Sequence, residues 1–362
     1  MNVFPKIAIQ CLAYRHPGSP KEACADLDRC FASLQTLDYP KERFCFVVLD
    51  NASTHGSFVE HIKEKWLPES EKSLPKVFLL SSQVNTGFAG GHMLALETSK
   101  VWEADYVYLL NQDAFCDPQM LSEAVKVAEQ FPHAASVQSR IMLAQDPQQV
   151  NSCGNCLHYL GFGYHDNGVL GACPHFYNSG AGLLIRMDCL EKIGGLFDPA
   201  YFMYHEDVDF AWRARLAGYT HAYAEDSVIY HRYEFSRSIK KFYDMEKNRF
   251  FTHFANLKWQ TLCLLFPAMI FMEVGTFLFA LKGGWGWKKI CVWGYFCKPS
   301  TWKRLWQKRR FIKQMRQVSD REMLDKMVGT IEAQEVKSFL MKWMVNPFLN
   351  AYFIFLKKIV RW

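Results

Sequence analysis

Phe44-Cys-Phe-Val-Val-Leu-Asp-Asn51 decides how this chain folds. Six consecutive apolar residues with a β-branched centre are too short for a helix and show no alternation, the mark of a strand buried on both faces. The strand stops on a polar pair, Asp50-Asn51. Upstream, Ile7-Ala-Ile-Gln-Cys-Leu-Ala-Tyr14 reads as a second such strand, and residues 21–38 between them carry Ala23, Leu27, Cys30, Phe31 and Leu34 at helical spacing. Downstream, the pattern predicts a helix over about 56–66, a strand at 76–80 and a Gly-rich turn at 85–91 running into a helix through Lys100. A strand over Tyr106–Leu110 then ends at Asn111-Gln-Asp113, and a helix occupies about 118–130. Strands alternating with helices, with polar residues at the strands' carboxyl ends, predict an α/β fold around a doubly wound sheet. Ligands of such sheets sit at those strand ends.

Composition narrows the class. The 362 residues are 50% hydrophobic and 22% charged, which excludes wholesale disorder and a coiled-coil rod. Residues 1–240 carry 20 Lys/Arg against 28 Asp/Glu, whereas residues 241–362 carry 22 against 8. An acidic body over 1–240 and a basic, aromatic region over 241–362 are therefore expected. Met1 leads straight into a strand, so a signal peptide is not expected, and the 12 cysteines are expected to be reduced and mostly buried.

Residues 145–178 read as a long loop with short strands, Gly182–Ile185 as a strand and Cys189–Ile193 as a short helix. Met203–Gly218 reads as a turn feeding a helix that Gly218 terminates, and Val228–Tyr230 as a strand leading to His231. Four polar clusters thus follow strands or open a helix: Asp50-Asn51, Asn111-Gln112-Asp113, Glu206-Asp207 and His231. Singly, each has an ordinary structural role as turn former, helix cap or helix-start acid. Their order and spacing say more.

Together they resemble the inverting family 2 glycosyltransferases of GT-A fold, in particular the rhamnosyltransferase-like branch, over about residues 6–240. Val47-Val-Leu-Asp-Asn-Ala-Ser-Thr-His-Gly56 is similar to the family's nucleotide-meeting strand end. Asn85-Thr-Gly-Phe-Ala-Gly-Gly91 looks like its Asn-x-Gly-Phe-Ala-x-Gly turn. Leu109-Leu-Asn-Gln-Asp113 stands where its metal-binding acidic motif is expected. Gly194-Gly-Leu-Phe-Asp198 followed by Phe202-Met-Tyr-His-Glu-Asp-Val-Asp209 is close to its Gly-Gly-Phe-Asp and Glu-Asp-Val-Asp pair, and Tyr230-His231, with Ser236 beyond, resembles its late metal-binding His.

The resemblance implies roles. Leu12, Ala13, Tyr14, Asp50, Asn51, Asn85, Gly87, Phe88, Gly90, Asn111, Gln112 and Asp113 would bind the nucleotide-diphosphate sugar. Asp113 and His231 would hold a divalent cation, Mn²⁺ or Mg²⁺, which neutralises charge on the departing diphosphate. Asp207, or less readily Glu206, would be the general base that deprotonates the acceptor hydroxyl. Gly180, Ala181, Gly182, Asp198 and His205 would border the acceptor. The donor implied is dTDP-L-rhamnose, with other UDP- or dTDP-sugars as alternatives. Many relatives carry two acids in the metal motif, where this chain has Asn111-Gln112 before a single Asp113, so weak metal affinity or a non-catalytic scaffold are the competing expectations.

Other motifs carry less. Cys153-Gly-Asn-Cys156 with His158 and Cys173 lacks a second complete pair for zinc and falls in a Gly-rich loop with Gly154, Gly161, Gly163 and Gly168. The Asn51-Ala-Ser53 sequon lies within the nucleotide motif. No G-x-G-x-x-G follows the first strand, which argues against a dinucleotide oxidoreductase.

Residues 261–281 contain one charge, Glu273, in 21 residues, and 343–356 are uncharged. Trp285, Trp287, Trp293, Trp302 and Trp306 are interleaved with Lys and Arg, the composition of a surface that meets anionic lipid headgroups. Two long apolar runs make a nucleic-acid patch the poorer reading. Pro267, Glu273 and Gly275 weaken a simple span, and the 18 Lys/Arg after residue 281 favour staying on the cytoplasmic side. The expectation is a peripheral or monotopic attachment to the cytoplasmic face of the cell membrane, beside a lipid-linked (polyprenyl) or glycan acceptor.

Overall fold

The computed structural model describes residues 4–15, 23–54, 56, 58–165, 175–232, 238–332 and 339–362; His55, Gly168, Cys173 and Ser236 of the motifs above lie outside them. The first half alternates β1 (Ile7–Ala13), α1 (Ala23–Gln35), β2 (Phe44–Asn51), α2 (Phe58–Lys65), β3 (Lys76–Ser82), α3 (Gly87–Val101), β4 (Tyr106–Asn111), β5 (Ala114–Cys116) and α4 (Met120–Gln130). Then come β6 (Ala134–Leu143), β7 (Asp146–Ser152), the pair β8 (Asn155–Leu157) and β9 (Gly163–His165), β10 (Gly182–Arg186), α5 (Leu190–Ile193), α6 (Glu206–Leu216) and β11 (Thr220–His231). The remainder is helical: α7 (Ser238–Asn256), α8 (Trp259–Lys282), α9 (Gly286–Phe296), α10 (Pro299–Met315), α11 (Asp320–Asp325), a π-helical turn at Met341–Val345 and α12 (Asn346–Ile359).

The main sheet runs β3-β2-β1-β4-β10-β6-β11-β5, with β7 on β6. The pairs β3-β2, β2-β1, β1-β4 and β6-β11 are parallel, and β10 enters antiparallel between β4 and β6. This is the mixed, doubly wound α/β sheet expected, with the C-terminal region helical as expected.

Three strands go beyond the sequence reading, the first being the short β5, Ala114–Cys116, just before α4. β6 was not predicted, because Ser136, Gln138 and Ser139 break its apolar run; all three are buried and satisfied. Gln138 donates to Ser152 Oγ at 3.0 Å and accepts Ser179 N–H at 2.8 Å, while Ser139 Oγ meets Tyr108 Oη at 2.7 Å. β11 begins at Thr220 rather than Val228, with a break in register between Ala224 and Val228 that accommodates Glu225-Asp226. The cysteines also need a correction. Cys156 is disulfide-bonded rather than reduced, so its sulfur is not a thiolate ligand for zinc, whereas ten others are free.

One face of the sheet packs on α1, α2 and α4 around Leu27, Phe31, Phe46, Phe58 and Leu121. The other face continues without interruption into the C-terminal helices: Val107, Leu183, Val208, Trp212, Phe251, Leu265, Leu305, Leu324 and Phe353 form one cluster. The helical region is therefore part of the core. Ion pairs reinforce this. Fully buried Lys289 of α9 stands 2.7 Å from both Glu246 of α7 and Glu273 of α8, and Arg249 pairs with Glu246 at 2.8 Å. The single charge in the apolar run of α8 is thus neutralised inside the protein.

α8 is long and apolar enough, by length and composition, to cross a membrane. It buries one stripe, Leu262, Leu265, Ala268, Met269 and Met272, and exposes another, Phe266, Ile270, Val274, Leu278 and Leu281, at three- and four-residue spacing.

Candidate active site

The carboxyl ends of β2, β1 and β4 lie side by side, with Ala13 opposite Asp50 and Leu12 opposite Asn111. Parallel pairing alone brings Leu12, Ala13, Tyr14, Asp50 and Asn111–Asp113 to one edge, where α/β sheets bind ligands. Side chains then fix the chain as it leaves the sheet. Tyr14 N–H donates to Gln112 Oε1 at 2.8 Å, and Gln112 Nε2 donates back to the Tyr14 carbonyl at 3.2 Å. Arg15 N–H donates to Ser53 Oγ at 3.0 Å, and the Ser53 hydroxyl donates to the Asp50 carboxylate.

Asn51 and Asn85, expected at the nucleotide, spend their amides on building the next turn. Asn51 Oδ1 accepts Thr86 N–H at 3.0 Å while its Nδ2 donates to the Gly87 carbonyl at 3.0 Å, and Asn85 Oδ1 accepts Gly87 N–H at 2.8 Å. Gly87 opens α3 at φ +70°, and a Cβ there would meet the Phe202 carbonyl oxygen at 2.3 Å, so only glycine fits. Phe88 and Gly90 follow in the first turn of α3. The turn is pressed against the loop before α6, whose Phe202 carbonyl also accepts Ala89 N–H at 3.0 Å. Gly180 comes within reach of the Phe88 ring, where a Cβ would stand 3.0 Å from Cζ, and Gly182 pairs with Leu110, bringing Gly180-Ala181-Gly182 beside the end of β4.

β11 delivers His231 opposite Ala114 of β5. His231 Nε2 is 3.2 Å from Asp113 Oδ1 and 3.1 Å from Asn111 Nδ2. One carboxylate and one imidazole therefore converge, with the Asn111 side chain beside them. Among the described residues no group of three His, Cys, Asp or Glu could hold a metal ion by itself. A carboxylate–imidazole pair does fit a Mn²⁺ or Mg²⁺ whose remaining ligands are substrate phosphate and water, the usual arrangement for these ions.

The loop before α6 is bent sharply. Phe202, Tyr204 and His205 all have φ between +63° and +67°, a conformation that costs non-glycine residues of order 1–3 kcal/mol each. It holds because α7 grips it: Asn248 Nδ2 lies 2.9, 3.0 and 2.7 Å from the carbonyls of Tyr201, Met203 and Tyr204. His205 ends the loop as the α6 N-cap; burial, with the Arg249 charge next, lowers its imidazole to about 3 and keeps it neutral. Asp198 starts the same segment, accepting Ala200 N–H at 3.0 Å and facing Lys308 at 3.8 Å.

Three acids follow at the head of α6, and the fold separates them. Glu206 is buried and its Oε2 has no hydrogen-bond partner among the described residues; burial first, then the Asp207 charge, push its carboxyl well above the carboxylate range. Asp207 is half-buried, and burial raises it to about 6 against the pull of the backbone N–H groups of Val208 and Gly180. Asp209 is structural: burial would raise it, yet Lys308 at 2.7 Å and Arg213 at 2.8 Å hold it down at about 2. A carboxyl near 6 suits a proton acceptor at neutral pH, and a neighbour kept protonated leaves that role to one residue.

A model of the family described as "Glycosyltransferase like family 2" matches residues 30–251, more than half of the chain. The chain belongs to that family. Among curated relatives, this family 2 protein is 26% identical over 229 residues to an N-acetylglucosaminyl-diphospho-decaprenol L-rhamnosyltransferase of Mycobacterium tuberculosis, covering 55% of this chain and 70% of that one. It is 26% identical over 231 residues to glucomannan 4-beta-mannosyltransferase 7 of Arabidopsis thaliana, with 62% of this chain matched, and it spans only 38% of that protein's length. Solved structures share the fold. GalNAc-T7 with UDP, GalNAc and Mn²⁺ aligns with TM-score 0.55 at 12% identity over 70% of this chain and 48% of that one. S. aureus TarS 1-349 aligns with TM-score 0.50 at 15% identity over 98% of this chain and 90% of that one.

The residues that the sequence did not flag are those that hold the site. Asn248, Thr252 and Asn256 are buried polar residues at four-residue spacing on α7, and part-buried Lys308 pairs with Asp209 in a segment that composition reads as a basic surface. Uncharged polar residues recurring at i, i+4 and i+8 through Phe250, Phe251 and Phe254 were the available signal.

Proposed function

We propose that this family 2 glycosyltransferase transfers a sugar with inversion from a nucleotide-diphosphate donor to a hydroxyl of a lipid-linked or glycan acceptor. L-rhamnose from dTDP-rhamnose and a polyprenyl-linked acceptor are the specific substrates proposed, with roles in cell-surface polysaccharide synthesis. The observation that carries the reading is geometric: the polar ends of β1, β2 and β4 lie side by side, and the Gly180 segment beside β4 donates its N–H to Asp207 at the head of α6.

In the proposed reaction, the acceptor oxygen attacks the anomeric carbon as its proton passes to Asp207, and the bond from that carbon to the phosphate oxygen breaks. The nucleoside diphosphate leaves with the bonding pair, and no covalent enzyme intermediate forms. Asp50, with Ser53 locking its orientation, supports recognition of the base or ribose. The Tyr14 backbone, held by Gln112, floors the crevice. Asp113 and His231 would hold a Mn²⁺ or Mg²⁺ that offsets charge on the diphosphate oxygens. The rhamnosyltransferase relative supports the choice of sugar and of a polyprenyl acceptor; the mannosyltransferase relative, at equal identity, supports testing other donors.

The C-terminal helices support attachment to the cytoplasmic face of the membrane without a span. The exposed stripe of α8 continues into α12 through Phe271 and Phe348, whose rings are 4.9 Å apart, and into α9 through Phe277 and Trp293, 5.0 Å apart. Trp287, Ile290, Phe348, Ile354 and Phe355 are exposed on these helices. An apolar face this continuous, rimmed by Lys and Arg, matches an anionic bilayer surface.

A thermal-shift panel of dTDP- and UDP-sugars with Mn²⁺ tests the donor, since a ligand that binds only the folded state raises its stability. Stabilisation by dTDP-rhamnose above the others is expected. A response to none of them would contradict the nucleotide-sugar reading.

A further inference from the structure

We infer that Asn248 is a positioning residue for the transfer reaction, acting by holding the loop from which Asp207 is presented. The inference rests on the reading of Asp207 as the base.

The geometry is specific. Three residues in a run of four, Phe202, Tyr204 and His205, sit in the left-handed region, where non-glycine residues do not stay unless their surroundings fix them. None of the three is glycine or Asn, so the loop has no intrinsic reason to adopt this shape. One side chain gathers most of its carbonyls. Asn248 is 1% exposed, and its amide nitrogen meets the carbonyls of Tyr201, Met203 and Tyr204, all within 3.0 Å. Two amide hydrogens serve three acceptors, so one is shared. No other side-chain type of this size supplies two hydrogens from one planar centre without a charge.

The same face of α7 continues the grip. Thr252 Oγ1 lies 2.8 Å from Tyr201 Oη, which also donates to Asp209 Oδ1 at 3.1 Å. The loop runs directly into α6: the His205 carbonyl accepts Asp209 N–H at 2.9 Å, closing the turn that carries Glu206 and Asp207. Shifting the loop therefore shifts the Asp207 carboxylate relative to Gly180 and to the donor edge. Asn248 itself touches neither the strand ends nor the Asp113–His231 pair; the loop it holds also meets the first turn of α3, where the Phe202 carbonyl accepts Ala89 N–H at 3.0 Å, so the nucleotide Kd is read beside kcat. The ionisable groups around that base are Glu206 beside it and Asp209 and Asp244 near Glu206.

The test compares full-length wild type, Asn248→Ala and Asn248→Asp for donor-nucleotide Kd, kcat, KM and the pH dependence of kcat, with Asp207→Asn in parallel. Asn248→Ala is expected to keep the nucleotide Kd within about threefold, lower kcat by 10- to 100-fold, and move the acidic limb of kcat downward as water reaches Asp207. Asn248→Asp, nearly the same shape but with acceptors facing carbonyls, should be at least as impaired. Wild-type kcat and an unmoved limb in Asn248→Ala would overturn the inference, as would a kcat loss matched by an equal loss of nucleotide affinity. If Asn248→Ala does not fold, Asn248→Ser, which keeps one donor, decides by the same criteria at smaller amplitude. Wild-type turnover in Asp207→Asn would instead overturn the assignment of the base, whatever Asn248 does.

Discussion

Glu206 and Asp207 are adjacent at the start of one helix, yet Asp207 accepts the Val208 N–H at 2.8 Å while Glu206 Oε2 is buried with no partner among the described residues. Backbone donors favour a charged Asp207; at Glu206, burial and the neighbouring Asp207 charge outweigh its own backbone N–H and push the carboxyl up. In the proposed reaction the pair divides into a base and a spectator acid.

That division fixes the pH dependence. Asp207 must be ionised to accept a proton, so kcat should fall about tenfold per unit below a limb near pH 6, the value to which burial raises it. Asp207→Asn should lower kcat by roughly two to four orders of magnitude with nucleotide binding intact. Glu206→Gln, which replaces an already neutral group, should retain most of the turnover. The reverse ranking in steady-state kinetics would reassign the base.

Asp113→Ala and His231→Ala should each weaken Mn²⁺-dependent nucleotide binding, because each would remove one of the two protein ligands proposed for the ion. Chelation with EDTA should abolish wild-type turnover. Full activity in chelator would leave charge neutralisation to side chains alone.

Deleting the C-terminal helices is a poor test of membrane attachment. Lys308 pairs with Asp209 at 2.7 Å, and Leu305 and Leu324 belong to the sheet's core, so removing residues 257–362 should unfold the protein. Surface changes are cleaner. Phe266→Ser with Val274→Ser and Leu278→Ser alters side chains that are 53–60% exposed. Flotation with anionic vesicles should drop several-fold while transfer to a soluble acceptor is kept. Unchanged flotation would move the contact elsewhere.

Lys289→Met should be strongly destabilising, by about 3–5 kcal/mol, since it leaves the single Arg249 charge to offset two carboxylates, Glu246 and Glu273, in the interior. Adding Glu273→Leu should restore part of the loss, because a well-packed apolar replacement of a buried pair is tolerated. Chemical denaturation measures both. A wild-type midpoint in Lys289→Met would show that water reaches the cluster.

Most of the donor edge was legible in the sequence because parallel pairing converts "polar residue after a buried strand" into spatial adjacency; Ala13, Asp50 and Asn111 needed no more than that. β6 was not legible, because its buried Ser and Gln residues look like loop until Tyr108, Ser152 and Ser179 satisfy them. Nor was the turn chemistry: Asn51 and Asn85 carry the residue types of a nucleotide site, and the fold also engages Asn51 Oδ1 with Thr86 and Asn85 Oδ1 with Gly87. The tail misleads by composition. Lys289, Lys308 and Arg249 count as surface charge in a sequence, whereas each is buried against an acid or close to it.

The most direct test is the anomeric configuration of the product, read by NMR after incubating the full-length protein and Mn²⁺ with dTDP-L-rhamnose and a polyprenyl-diphosphate-linked sugar. The account predicts nucleoside diphosphate release that depends on the acceptor, a glycoside of configuration opposite to the donor, and loss of both in Asp207→Asn. Retained configuration, or equal product from Asp207→Asn, would contradict single displacement by a hydroxyl that Asp207 deprotonates.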